Sequence, residues 1–441
     1  MHTVLLFKGG FRQPLECPGI EKSKRIIMNE YLERELIKLE DMIGFYTSRI
    51  ISYPLVPPEH VYFSLTNRCC LRCVMCDIPK SPGRQEDELT TEEAKKIILQ
   101  IKELGVRHLI LSGGEPLLRE DLTELIRFSR ASGIPWVDII TNGILCNDDL
   151  AQKLINAGLN HITISLDGIS GVNDAIRGEG SFEKSVNAID KLNYYKEKME
   201  VTSPSIGINF TIMNKNINDM LKIVEFAKSK KCNTVVLQPV LMSNVSMYER
   251  KKNALWPSVK EMPLLEENIC KLVKMKEETN GILIYTDSAI LKAIPGYFRG
   301  KKPGRRFKCY EGIKRIVITC DGKLWSCKGI YGDLRKDSLK KVWFSEEAQK
   351  IRKVVRNCLD HCLQDCVYFP MDISGHVKQF LSGIEEGPDN ANARERIISR
   401  IDYCINELLK RVKPNFLGNF SQKRLEVYKL NVLKKEIFLN G

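Results

Sequence analysis

The sequence has no apolar run near the ~20 residues that a membrane-crossing helix needs, so a membrane-spanning role is not expected. Its first apolar run, Val4 to Phe7, is too short for the core of an export signal. The reading is therefore a soluble, cytoplasmic protein. Histidine is scarce, six in 441 residues, and none stands in a Ser/His/Asp pattern, so triad hydrolysis has no support. Cys73-x2-Cys76 finds no matching second knuckle among the other cysteines, and a zinc ribbon usually pairs two. No repeat is visible beyond a strand–helix unit.

Cysteine, by contrast, is plentiful. There are 15, an odd number, and they cluster. In a reducing compartment, clustered cysteines point to metal or catalysis rather than disulfides. Four lie between Cys69 and Cys76, and six between Cys309 and Cys366. The net charge of +13 favours acidic partners but equally fits a lysine-rich surface. Nucleic acid is not indicated.

From Val61 onward, short apolar runs alternate with amphipathic ones. Strands are expected at Val61–Leu65, His108–Leu111, Trp136–Ile140, His161–Ser165, Ile206–Ile212 and Thr234–Gln238. Helices are expected near Glu92–Leu104, Asp121–Ser132, Asp148–Ala157, Phe182–Tyr195 and Ile217–Lys228. Thr90 with Glu93 reads as a capping box, and Gly105, Gly133 and Gly158 stand where helices should stop. Six strand–helix units imply parallel strands with right-handed crossovers. The fold class is α/β: a partial (β/α)6 TIM-type barrel with a small cysteine-rich C-terminal subdomain and helical N- and C-terminal extensions. The expected divisions are 1–57, 58–290, 291–375 and 376–441. Arg315–Cys320 and Lys323–Cys327 read as a hairpin turning at Asp321-Gly322.

Barrel chemistry sits on loops leaving the C-terminal strand ends, and the unusual residues fall there. Cys69, Cys73 and Cys76 follow the first strand, and Gly113-Gly114-Glu115-Pro116 the second. Thr141-Asn142-Gly143 follows the third, and Ser165 to Gly168 ends the fourth. Three thiolates on one short loop can ligate three irons of a 4Fe–4S cubane, leaving the fourth open. An open position is what lets a metal site bind a small molecule.

Cys69-x3-Cys73-x2-Cys76 with Gly-Gly-Glu-Pro resembles the radical S-adenosylmethionine (SAM) superfamily over roughly residues 58–290. The resemblance implies that the open iron is held by the amino and carboxylate groups of SAM. It places Met75 near the adenine, and Gly113, Gly114 and Glu115 by the methionine amino group. Ser165 and Arg177 would contact the SAM ribose or carboxylate, and Thr211 to Asn214 would lie near the adenine. Cys70 also makes a C-x2-C-x2-C run and competes with Cys69; the family spacing selects Cys69.

Cys309-x12-Gly322-x4-Cys327, followed by Cys358, Cys362 and Cys366, resembles the SPASM/twitch auxiliary-cluster subdomain of such enzymes. That implies a second 4Fe–4S cluster bound by Cys309, Cys327 and two of the last three, with Cys320 a buried structural residue. The expected function is reductive cleavage of SAM to a 5′-deoxyadenosyl radical that takes a substrate hydrogen atom. The electron would come from a low-potential donor such as flavodoxin or ferredoxin. The expected substrate is a peptide or a carbohydrate- or nucleotide-linked molecule, and the excess of Lys and Arg would suit an acidic one. Non-redox radical chemistry and an iron–sulfur sensor without turnover are the other readings.

Overall fold

The computed structural model describes residues 41–78, 84–242, 247–278, 283–301, 307–358, 362–364 and 368–370, with Ser399 and Tyr403. The chain divides into two compact units, Phe45–Asp372 and Met1–Gly44 with Ile373–Gly441. The first carries everything discussed below. The tail expected to be helical lies almost wholly outside the described residues, as does most of the basic loop before Cys309.

Helix α1 (41–51) precedes strand β1 (His60–Thr66). Strand and helix then alternate: α2 (Thr91–Glu103), β2 (His108–Gly113), α3 (Leu122–Ala131), β3 (Trp136–Thr141), α4 (Asp148–Asn156) and β4 (His161–Ser165). Two helices, α5 (Gly171–Arg177) and α6 (Ser181–Lys198), lead to β5 (Ser205–Ile212), α7 (Met220–Ser229) and β6 (Thr234–Pro239). After α8 (Met247–Lys252) and α9 (Met262–Glu277) come β7 (Leu283–Ile284) and α10 (Ser288–Phe298). The last part holds β8 (Phe307–Cys309), β9 (Arg315–Ile318), β10 (Lys323–Ser326), β11 (Gly329–Asp333), α11 (Leu339–Trp343), α12 (Glu346–Arg356) and β12 (Tyr368–Pro370).

Strands β1 to β6 pair in parallel in sequence order, as their patterning requires. On each strand one set of alternate residues is fully buried, such as Val61, Phe63 and Leu65 on β1 or Ile162 and Ile164 on β4. They pack with the apolar stripes of the helices: Ala94, Ile97, Ile98 and Ile101 on α2, and Leu122, Leu125 and Ile126 on α3. Each such side chain contributes roughly 1.5–3 kcal/mol when fully buried. The other set is mixed: Ser64, Ser112, Thr163 and Ser165 are polar and half-exposed, while Ile110 and Asp138 are buried. The Thr90–Glu93 capping box is formed in both directions.

The sheet is open, with order β11-β10-β9-β1-β2-β3-β4-β5-β6-β7. The cysteine-rich hairpin joins it directly. β9 lies parallel to β1, pairing His60 to Phe63 with Arg315 to Ile318, and β10 and β11 follow antiparallel. The sheet thus runs across the division expected near residue 290. At the N-terminal strand ends His108 Nε2 meets Asp138 Oδ2 at 2.7 Å, and His161 Nδ1 meets Ser205 Oγ at 2.7 Å. Burial holds His60 and His161 below the usual histidine range. Three of the six histidines are thereby structural, at the end opposite the cysteine loop.

Candidate iron–sulfur and SAM site

The loop after β1 is built by backbone contact with the loop after β2. Gly114 N–H donates to Thr66 O at 2.6 Å, and Glu115 N–H to Arg68 O at 2.8 Å. A Cβ on Gly113 would stand 2.3 Å from Thr66 O, and one on Gly114 2.2 Å from Arg68 O. Gly113 also has φ +140°, where L side chains are strained. The two glycines were expected to make room for the SAM amino group. In the structure they also let one loop's backbone lie on the other, which sets the stem of the cysteine loop.

Glu115 is fully buried. Its carboxylate accepts from Leu117 N–H at 3.0 Å, Thr141 Oγ1 at 2.5 Å and Asn142 N–H at 2.8 Å. Burial pushes this carboxyl up to about 7, against the pull of those donors. Its oxygens are engaged in tying the second loop to the third. Glu88 braces the stem from the other side. It accepts from Thr66 Oγ1 and pairs with Arg68 at 3.0 Å.

Cys69, Cys73 and Cys76 are half-buried on this one loop, and Cys70 is exposed. Cys69 Sγ accepts from Leu71 N–H at 3.5 Å, while Asn142 Nδ2 donates to Cys70 Sγ at 3.4 Å. A turn joins Cys76 N–H to Cys73 O at 3.0 Å, and Val74 N–H donates to Ile176 O at 2.9 Å. The last bond docks the end of α5 on the cysteine loop. Arg177 Nη2 meets the fully buried Asp167 Oδ2 at 2.7 Å, and its Nη1 stands 3.9 Å from Cys73 Sγ. Asp167 Oδ1 accepts from Thr211 N–H at 2.6 Å. Asn216 closes the same loop on Asp167 O and Thr211 O.

Met75 packs partly buried against the core, and Ser165 is half-exposed at the end of β4, opposite Asn209. Thr211 to Asn214 follow β5 as expected, with Asn214 N–H on Leu255 O at 2.9 Å.

The second cysteine set is assembled from separate segments. Cys309 ends β8, Cys327 follows β10, Cys358 follows α12, and Cys362 lies just beyond. The charges of neighbouring thiols add to the upward shifts of Cys309 and Cys327. Cys309 feels Cys362 and Cys327, and Cys327 feels Cys358 and Cys362. Burial pushes Cys309 up strongly and Cys327 up to about 11. Cys366 lies outside the described residues. Cys320 is buried, and its carbonyl accepts from Leu89 N–H at 2.7 Å. Arg49 of α1 clamps this set. Its Nε donates to Cys309 O and its Nη2 to Arg356 O, each at 2.9 Å. Beside it, Arg315 pairs with the buried Glu311 at 2.7 Å.

None of the described cysteines is in a disulfide. No three described His, Cys, Asp or Glu side chains converge on the point a single ion would occupy. In a cubane each thiolate meets its own iron, so ligands surround a volume rather than a point. Three soft sulfur donors on one loop, with Arg177 beside Cys73, fit an iron–sulfur cluster with one open iron. Four neighbouring sulfurs fit a fully ligated one.

The fold and these two sulfur sites define an α/β iron–sulfur protein. Residues 63–227 match the radical SAM superfamily, and residues 309–367 match an iron–sulfur cluster-binding domain, SPASM. The chain is a radical SAM superfamily protein with a SPASM domain. SAM and 4Fe–4S clusters are accordingly its cofactors.

Among curated relatives, the Fe-coproporphyrin III synthase of Methanosarcina barkeri is 36% identical over 172 residues, 39% of this chain and 41% of that protein. The chain thus spans about two fifths of that relative. The PqqA peptide cyclase of Rhizobium meliloti is 27% identical over 305 residues, 67% of this chain and 76% of that one. Streptococcus suis SuiB bound to S-adenosylmethionine shares the fold, with TM-score 0.53 and 15% identity over 67% of this chain and 68% of its own.

Sequence reasoning missed Asp167, Asn142, Glu88 and Arg49. Asp167 and Asn142 stood in the strand-end segments already singled out, so their position was a usable signal. Arg49 acts on Cys309, 260 positions away, and nothing local marks it.

Proposed function

We propose that the chain reductively cleaves SAM and modifies a peptide. The observation that carries the first part is the backbone lock of Gly114 and Glu115 on Thr66 and Arg68. It fixes the stem of the loop that carries Cys69, Cys73 and Cys76, which supports a cluster with one iron open to SAM. When bound, the cluster supplies one electron to the sulfonium of SAM, releasing methionine and a 5′-deoxyadenosyl radical that takes a substrate hydrogen atom.

The chain's own residues hold and orient. Cys69, Cys73 and Cys76 are the ligands; the exposure of Cys70, beside the half-burial of the other three, supports Cys69 over Cys70. Gly113, Gly114 and Glu115 fix the stem, and Glu115 reaches SAM only through that placement. Met75 and Ser165 lie at strand-end positions suited to the adenine and ribose. Cys309 and Cys327, with two of Cys358, Cys362 and Cys366, would hold the auxiliary cluster, which would supply an electron acceptor for a net oxidation.

The peptide substrate is supported by the PqqA peptide cyclase of Rhizobium meliloti, which aligns over 67% of this chain. A low-potential donor such as flavodoxin or ferredoxin would deliver the first electron. No described helix is long and apolar enough to cross a membrane, which accords with a cytoplasmic site of action. The test is anaerobic reconstitution followed by dithionite and SAM. Formation of 5′-deoxyadenosine, lost in Cys73→Ala, is expected; intact SAM in the fully loaded protein would overturn the reading.

A further inference from the structure

Family resemblance assigns Arg177 to SAM, yet in the structure its guanidinium is turned to a cluster sulfur. Three observations converge. Nη1 lies 3.9 Å from Cys73 Sγ. Nη2 is anchored 2.7 Å from Asp167 Oδ2, in a carboxylate with no exposed surface. The residue before it, Ile176, receives Val74 N–H at 2.9 Å, so α5 is bonded to the loop at the residue next to Cys73. Asp167 is itself held. Thr211 N–H donates to Oδ1, Asn173 Oδ1 receives its N–H, and Asn216 Nδ2 donates to its carbonyl. This makes a three-part relay: a fixed anion, a cation set in front of it, and a cluster sulfur in front of the cation. Arg177 is only about a tenth exposed, and its Nε is buried without a hydrogen-bond partner.

Asp167 offsets much of the arginine's long-range charge, but the pair is an oriented dipole with its positive end on Cys73. Hydrogen bonds and positive charge at a cluster sulfur favour the extra electron of the reduced state, and burial strengthens the effect. Second-shell groups of this kind tune a metal site without ligating it.

We propose that Arg177, held by Asp167, is a positioning residue that donates to the Cys73 sulfur and raises the reduction potential of the SAM-binding cubane before SAM arrives. The inference rests on the cubane of the preceding section, and the test separates the two. Reductive titration of anaerobically reconstituted protein is followed by electron paramagnetic resonance without SAM. The signal is assigned by its loss in Cys73→Ala. Arg177→Gln, at full iron content, should lower the reduced-to-oxidised ratio at fixed potential about tenfold, equivalent to ~59 mV for one electron. Arg177→Lys keeps the charge but not the planar fork and should shift the same way by less. It carries the test if the glutamine variant does not hold its iron. Wild-type titration in the SAM-free variants, with a defect appearing only once SAM is added, would overturn the proposal and make Arg177 a SAM contact alone. A wild-type protein without any cubane would instead sink the reading beneath it.

Discussion

The two sulfur sites are made in opposite ways. Cys69, Cys73 and Cys76 sit on one loop, and the loop's shape comes from its immediate neighbours: Gly114 and Glu115 on its stem, Glu88 beside it, Ile176 on Val74. Cys309, Cys327, Cys358 and Cys362 come from the ends of β8, β10 and α12 and the stretch beyond, with Arg49 tying the end of β8 to the end of α12. Closing short loops costs little chain entropy and closing long ones costs more. The first site is therefore a local property of the barrel. The second is a property of the assembled unit, and metal binding there contributes to folding. On the proposed reading their chemistry differs in parallel: three ligands would leave one iron open to SAM, while full ligation would leave electron transfer.

That contrast can be broken by substitution. The largest effect is expected from Cys73→Ala: SAM cleavage abolished and iron reduced by about half, with the auxiliary signal retained. Cys327→Ala should do the reverse. Iron again falls by about half, but 5′-deoxyadenosine still forms while the completed product does not. Loss of both clusters in either variant would show that the sites are not independent.

Gly114→Ala places a Cβ against Arg68 O, and neither backbone can yield without moving the cysteine loop. A cost of about 1–3 kcal/mol in thermal or denaturant unfolding is expected, together with a fall in SAM cleavage. Unchanged activity would mean that the stem does not set the loop. Arg49→Gln removes the donor from two part-buried carbonyls, at a cost of about 1–3 kcal/mol, and should lower auxiliary iron selectively. Equal iron loss at both sites would erase the distinction between local and assembled.

The same contrast explains what could be read in advance. The six strands and five helices follow from alternation and caps, because one set of alternate strand residues is fully buried and apolar while much of the other is half-exposed. The first cysteine site was legible because its ligands are close in sequence and follow a strand. The pairing of β9 with β1 was not, since nothing in Arg315–Ile318 says which strand it will join. The duty of Gly113 and Gly114 was also hidden: a glycine announces a close approach but not what approaches. For Glu115 the sequence shows a carboxylate, and only the fold shows that Leu117, Thr141 and Asn142 take up its oxygens. Arg49 reaches its targets across most of the chain, so no spacing reveals it.

The most direct test of the open iron corner is low-temperature electron paramagnetic resonance of the oxygen-free, dithionite-reduced protein before and after SAM is added. The account predicts a one-electron-reduced cubane whose signal changes with SAM and is missing in Cys73→Ala. A signal indifferent to SAM, or one that persists without Cys73, would contradict it.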